Sequence, residues 1–137
     1  MRIPRWQGRW AGLTTLAISL AVPGMSALAD KPPSQGERIY LQSGCFACHG
    51  QLGYGGAGPG LRENKLLMAD DYVIGQILLG RGIMPSYADR LDDEQVASVA
   101  NYIRNSWGNA HGPVSAEQVT EARKNFLTPE TNSRGEP

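Results

Sequence analysis

Cys45-Phe46-Ala47-Cys48-His49 contains both cysteines of the 137-residue chain and one of its two histidines, the other being His111. Two thiols and an imidazole within five positions can form a disulfide, cycle between dithiol and disulfide, ligate zinc, or take up a haem covalently. A structural disulfide between Cys45 and Cys48 would close so small a loop that it would restrict the unfolded chain very little. The spacing suits a thiol–disulfide redox pair better, but such pairs sit in a βαβ setting, and no strand-like alternation surrounds this one. Zinc would call on Cys45, Cys48, His49 and His111. The adjacent Cys48 and His49 would then have to face one ion, and His111 lies in a Gly/Pro-flanked loop without ligand spacing.

Covalent haem attachment uses all three residues, and C-x-x-C-H is its direct sequence signal. Residues three apart on a helical turn share a side, so Cys45 and Cys48 can form thioethers with two vinyl groups along one porphyrin edge. His49 then stands over the iron as proximal ligand. The second axial position has three candidates, Met68, Met84 and His111. Met84 lies in Arg81-Gly82-Ile83-Met84-Pro85, where glycine lets the backbone come close and proline removes a competing donor and fixes the turn. It is the expected ligand. Met68, in Leu66-Leu67-Met68 ahead of a helix, reads as a core methionine, and His111 as a solvated loop histidine. Histidine–methionine ligation leaves no open site for a substrate, and a soft thioether favours ferrous iron, so the expected chemistry is outer-sphere electron transfer at a comparatively high potential. The acid pairs Asp70-Asp71 and Asp92-Asp93 read as helix starts, and no catalytic residue is assigned. The chain is expected to be an electron carrier and not an enzyme.

The compartment bears on the site, because cysteines mean different things in oxidising and reducing surroundings. Arg2, Arg5 and Arg9 precede an apolar or small run from Ala11 to Val22, and Ala27-Leu28-Ala29 has the small-x-small form that signal peptidase requires. Residues 1–29 are therefore read as a signal cleaved after Ala29, which places the mature chain in the periplasm. The apolar run is short for a membrane span, so membrane attachment would follow only if the signal were retained as an anchor. Without a twin-arginine pattern, the chain is expected to cross unfolded. Removing 29 of 137 residues leaves 108, enough for one modest domain. Three arginines leave with the signal, so the 13 basic residues become 10 against 13 acidic ones. A formal charge of −3 argues against a nucleic-acid partner.

The mature chain is expected to be all-α, with short helices around the haem. Ser34 and Glu37 form a capping-box pattern for a helix that runs through Ile39 and Tyr40 towards the cysteines. A glycine-rich loop from Gly53 to Gly60 follows, with Pro59 inside it. Val73, Ile74, Ile77 and Leu78 mark one face of a second helix that Gly80 and Gly82 end. Asp92 and Gln95 announce the clearest helix, whose stripe is Val96, Val99, Ala100 and Ile103. Ser115 and Gln118 repeat the signal for a last helix carrying Val119, Ala122 and Phe126. That narrow stripe predicts a surface helix, capping the core or facing a partner, with a loose tail after Thr128. The expected division is thus a haem domain over 30–112 and an addition over 113–137.

The order of these motifs resembles the monohaem class I cytochrome c family over about Gly36 to Trp107. Cys45-Phe-Ala-Cys48-His49 comes first, Gly58-Pro59-Gly60-Leu61 resembles the family's G-P-x-L loop, Gly82-Ile-Met84-Pro85 is like its methionine loop, and a long amphipathic helix closes the set. The resemblance implies that Pro59 offers its carbonyl to the non-ligating nitrogen of His49, and that Gly36 meets Tyr102 where the first and last core helices cross. The stretches from Met84 to Gln95 and from Ala100 to Asn109 look like cytochrome domains that accept electrons from bacterial periplasmic dehydrogenases, including multihaem alcohol and sugar dehydrogenase subunits. With a single haem motif, this chain is expected to carry one haem c between periplasmic redox proteins. The donor would be a dehydrogenase and the acceptor a cytochrome or a terminal oxidase. The alternatives are a docking or structural haem subunit of a dehydrogenase complex and a ligand-binding or peroxide-reactive haem protein.

Overall fold

The computed structural model describes residues 32–127. The expected export signal with its cleavage after Ala29, and the tail after Thr128, lie outside the described residues. Regular structure comprises α1 (Gln35–Gln42), α2 (Cys45–His49), the 3-10 turn η1 (Lys65–Met68), α3 (Asp70–Leu79), α4 (Asp93–Asn105) and α5 (Ala116–Leu127). Among the described residues there is no strand, and the fold is all-α as expected.

Most helix starts follow their local signals. Ser34 Oγ accepts from the Glu37 amide at 3.1 Å, although Glu37 does not reach back. At α4 both halves of the capping box form, with the Gln95 amide donating to Asp92 Oδ1 at 2.8 Å and the Asp92 amide to Gln95 Oε1 at 3.0 Å. Ser115 and Gln118 do the same for α5. Ala69 precedes α3 and offers no side-chain cap, so Asp70 and Asp71 serve that helix by complementing its dipole.

The helices α1 and α4 cross at Gly36. A Cβ there would run into the Ser98 carbonyl oxygen and lie 2.7 Å from Tyr102 Cβ, so only glycine permits this approach. The Gly36–Tyr102 contact implied by the family resemblance is therefore present. Tyr40, Tyr102 and Trp107 pack about the crossing with ring centroids 5.1 to 5.5 Å apart. From the fully buried Tyr40 the core continues through Val96, Val99 and Ala100 of α4 to Ile74 and Leu78 of α3.

The last helix differs from expectation. Val114, Val119 and Ala122 belong to the same core cluster as Tyr40 and Val96, and Val119 is completely buried. Asn101 of α4 pins the segment before α5, accepting from the Val114 amide at 2.6 Å and donating to its carbonyl at 2.8 Å. On α3, Gly75 leaves room for the Phe126 ring, which a Cβ would meet at 3.1 Å. Residues on both sides of the expected boundary at 112 share one core, so α5 is not a surface addition. A three-residue stripe looks narrow in the sequence because neither the small residue opposite it nor the Asn101 bonds show in its periodicity.

Candidate functional site

Helix α2 presents the cysteines. It is a single five-residue element entered from Gly44 in the left-handed region, φ 77°, and both cysteines are free and half-buried. The chain then folds back over its end. The Gly55 amide donates to His49 O at 2.8 Å, the Gly58 amide to Cys48 O at 3.0 Å, and the Tyr40 hydroxyl of α1 to Gly50 O at 2.7 Å. This wrapping brings Pro59 to the imidazole, and its carbonyl lies 2.9 Å from His49 Nδ1. A carbonyl can only accept, so Nδ1 is the donor of this pair and Nε2 is the nitrogen left to face a metal. The ring lies along Gly58, where a Cβ would come within 2.9 Å of Cε1.

The loop of Met84 is held from two sides. Gly80, φ 62°, ends α3, and a side chain there would collide with Met84 O and lie 2.5 Å from Pro85 C. Close packing thus occurs at Gly80. At Gly82 a Cβ would meet nothing within 4 Å, so that glycine serves only its positive φ of 61°. The Tyr87 amide donates to Ile77 O at 3.1 Å, and the buried Tyr87 side chain reaches back to donate to Ser43 O at 2.9 Å. Tyr87 therefore ties the Met84 loop to the corner from which α2 starts. Burial pushes the neighbouring Cys45 thiol up from its ordinary range, against the pull of the Tyr87 hydroxyl.

Of the three candidates for the second axial position, Met84 is half-buried against the core, whereas Met68 is 62% exposed. Exposure corrects the expectation that Met68 is a core residue. In η1 it is Leu67 that turns inward. His111 is also not the solvated residue expected. It is half-buried, with Nε2 3.3 Å from Asn64 O and its amide donating to Arg104 O at 3.1 Å. Among the described residues no group of three or more His, Cys, Asp or Glu side chains gathers for a metal ion, so the four zinc candidates do not converge.

Two buried polar residues that sequence patterning missed hold the surrounding loops. Arg104, 3% exposed, donates from Nε to Leu67 O at 2.9 Å, from Nη2 to Met68 O at 3.1 Å and His111 O at 2.7 Å, and from Nη1 to Gly112 O at 3.1 Å. Asn109 donates to Leu61 O and Ile103 O and accepts from the Asn64 amide at 3.0 Å. Arg104 had a signal, since it stands four residues after Ala100 and eight after Val96, on the buried face of α4. Asn109 and Tyr87 had none, for their partners lie 44 or more residues away in all but one of their side-chain bonds.

These residues suit a covalent haem. Two free thiols stand one helical turn apart, the next residue engages Nδ1 with a carbonyl so that Nε2 is the nitrogen left to face a metal, and that imidazole is packed on glycine backbone. Among the described residues, seven of the ten exposed large hydrophobic side chains, including Phe46, Leu52, Leu66 and Ile83, fall between positions 46 and 83, which supplies apolar surface for a macrocycle to cover.

Comparison with known proteins points the same way. The family model described as cytochrome c oxidase, cbb3-type, subunit III matches residues 31–103. The chain is 34% identical over 140 residues to cytochrome c-552 of Thermus thermophilus, with 85% of this chain and 90% of that protein covered. It is 31% identical over 114 residues to cytochrome c-555 of Methylococcus capsulatus, covering 81% and 90%. A shorter stretch of 42 residues is 52% identical to the gluconate 2-dehydrogenase cytochrome c subunit of Pantoea cypripedii, covering 30% of this chain and 10% of that subunit.

Proposed function

This chain belongs to the class I c-type cytochromes, whose haem c is covalently bound and transfers electrons, and from that premise we propose that it is a periplasmic single-electron carrier. In this proposal Cys45 and Cys48 would hold the haem through thioethers, His49 Nε2 and the Met84 sulfur would ligate its iron, and Pro59 would be the partner of the His49 ring. The donor is a periplasmic dehydrogenase, and the electron passes towards the respiratory chain. The observation that carries the assignment of the site is the 2.9 Å contact between His49 Nδ1 and the Pro59 carbonyl.

The bound haem supplies the one-electron ferric–ferrous couple. The polypeptide fixes how that couple is used. Pro59 keeps the proton on Nδ1, sets the ring's orientation and raises the basicity of Nε2. Tyr87, bonded to Ser43 O, keeps the Met84 loop on the side of the molecule from which α2 projects its thiols. A methionine held there would keep small molecules from the iron, and its soft thioether would bias the couple towards the reduced form. Export to the periplasm rests on the basic, apolar and small-residue pattern of residues 1–29. A dehydrogenase donor is supported by the 52% identical stretch shared with the gluconate 2-dehydrogenase cytochrome subunit.

Carbon monoxide added to the reduced protein, followed by a spectroelectrochemical titration, tests this function. The proposal expects an unchanged reduced spectrum and a reversible one-electron transition. A carbon monoxide adduct in the wild type would make the protein a ligand-binding haem protein instead.

A further inference from the structure

Arg123 lies on α5, beyond every motif that marks the haem site, yet its guanidinium is engaged with the segment that follows Met84. Its Nε donates to Asp93 Oδ1 at 2.8 Å, Nη1 to Ala88 O, and Nη2 to Leu91 O at 3.0 Å. The Thr120 hydroxyl, one turn earlier on α5, donates to the other Asp93 oxygen. The gripped segment is itself a compact turn, in which the Arg90 and Leu91 amides both donate to Tyr87 O at 3.0 Å. Ahead of it, Ser86 Oγ donates to Leu78 O at the end of α3. From Met84 onwards each step is therefore anchored, and the last anchor is a planar fork satisfied in one geometry, which lysine cannot reproduce.

We infer that Arg123 is a positioning residue for the axial methionine: by gripping Ala88, Leu91 and Asp93 it keeps the Met84 loop closed and sets how readily an outside ligand displaces the thioether. This rests on Met84 being the ligand. An outside ligand binds only the fraction of molecules whose methionine has released, so its apparent Kd falls in proportion as that fraction rises. Removing the guanidinium takes away three hydrogen bonds that favour the closed loop, and water replaces only part of them, so the released fraction should rise.

Imidazole titration of the ferric holoprotein, read at the haem bands, tests the inference. Arg123→Ala should lower the apparent imidazole Kd about tenfold. Arg123→Lys, which can still pair with Asp93 but not bond both carbonyls, should lower it at least threefold, and it serves if the alanine variant yields no holoprotein. Gln118→Ala, which removes the bond of α5 to Asp70 and one half of its capping box but leaves the Arg123 grip in place, should stay within twofold of wild type. The inference is overturned if the arginine variants remain within twofold of wild type, or if Gln118→Ala shifts the Kd as far as Arg123→Ala does. Met84→Ala separates the two levels. If it leaves the near-infrared sulfur-to-iron band of the ferric protein intact, the ligand assignment itself fails. If the band vanishes there while Arg123→Ala has no effect, only the role of Arg123 falls.

Discussion

Arg104→Met keeps the aliphatic stem and much of the volume of the side chain while removing its guanidinium. Four main-chain carbonyls then lose a donor, although Gly112 O keeps another in the Asn105 side-chain amide at 3.1 Å. The bond to Leu67 O is buried, and losing it costs about 2 kcal/mol; those to Met68, His111 and Gly112 are partly buried, and water can replace them at a cost of about 0.5–1 kcal/mol each. Against this, the variant no longer has to hold a cation at 3% exposure with no carboxylate among its hydrogen-bond partners. The net expectation is a loss of about 3 kcal/mol, a large part of the stability of a domain this size. Since about 1 kcal/mol moves the midpoint of a domain near 100 residues by roughly 4–8 °C, the holoprotein should melt at least about 12 °C lower. Urea unfolding of wild type and variant, followed by far-ultraviolet circular dichroism and by the haem bands, reads the difference. A loss under about 1 kcal/mol would refute the claim that these four bonds hold η1 and the loop after α4 in place.

Three further outcomes are expected. Gly36→Ala should destabilise the holoprotein by about 3 kcal/mol or more in urea, because the new methyl meets the Ser98 backbone of α4, which cannot swing aside as a side chain would; an unchanged midpoint would remove the helix crossing from the account. Ending the chain at Gly112 should weaken methionine ligation and lower stability by about 4 kcal/mol, since it strips Val114, Val119 and Ala122 from the core together with the Arg123 grip; an intact near-infrared band and an unchanged melt would restore α5 to a surface role. The Thr120 hydroxyl and then Arg123 hold the Asp93 carboxyl below its usual range. A depressed folded-state value contributes stability above the unfolded carboxylate pKa of about 3.9, and that contribution fades as pH falls through the folded value. Asp93→Asn should therefore melt below wild type at pH 6, with the gap closing below about pH 4, and a gap that does not change with pH would contradict this.

What could be read in the sequence was local. The C-x-x-C-H spacing, the capping boxes at Asp92 and Ser115, and the Gly/Pro frame of Met84 each lie within a few residues, so short-range geometry states them. Pro59 and the Gly36–Tyr102 contact were available only through family resemblance, because nothing near Pro59 says that its carbonyl will face His49. The loop anchors were hidden for the same reason. Arg104 reaches back 36 and 37 residues to Met68 and Leu67, and Arg123 reaches back 30 to 35 to Asp93, Leu91 and Ala88. Composition and periodicity carry no trace of such pairings. Arg104 alone could have been noticed, as a charge on the apolar stripe of α4.

The attachment of the haem to Cys45 and Cys48 is tested most directly by digesting the purified holoprotein with trypsin and weighing its peptides. Cleavage after Arg38 and Arg62 releases a fragment from Ile39 to Arg62 that holds both cysteines and His49. That fragment should carry one intact haem, with neither thiol open to alkylation after denaturation. A haem-free fragment whose thiols are both alkylated, or are joined in a disulfide, would contradict the assignment.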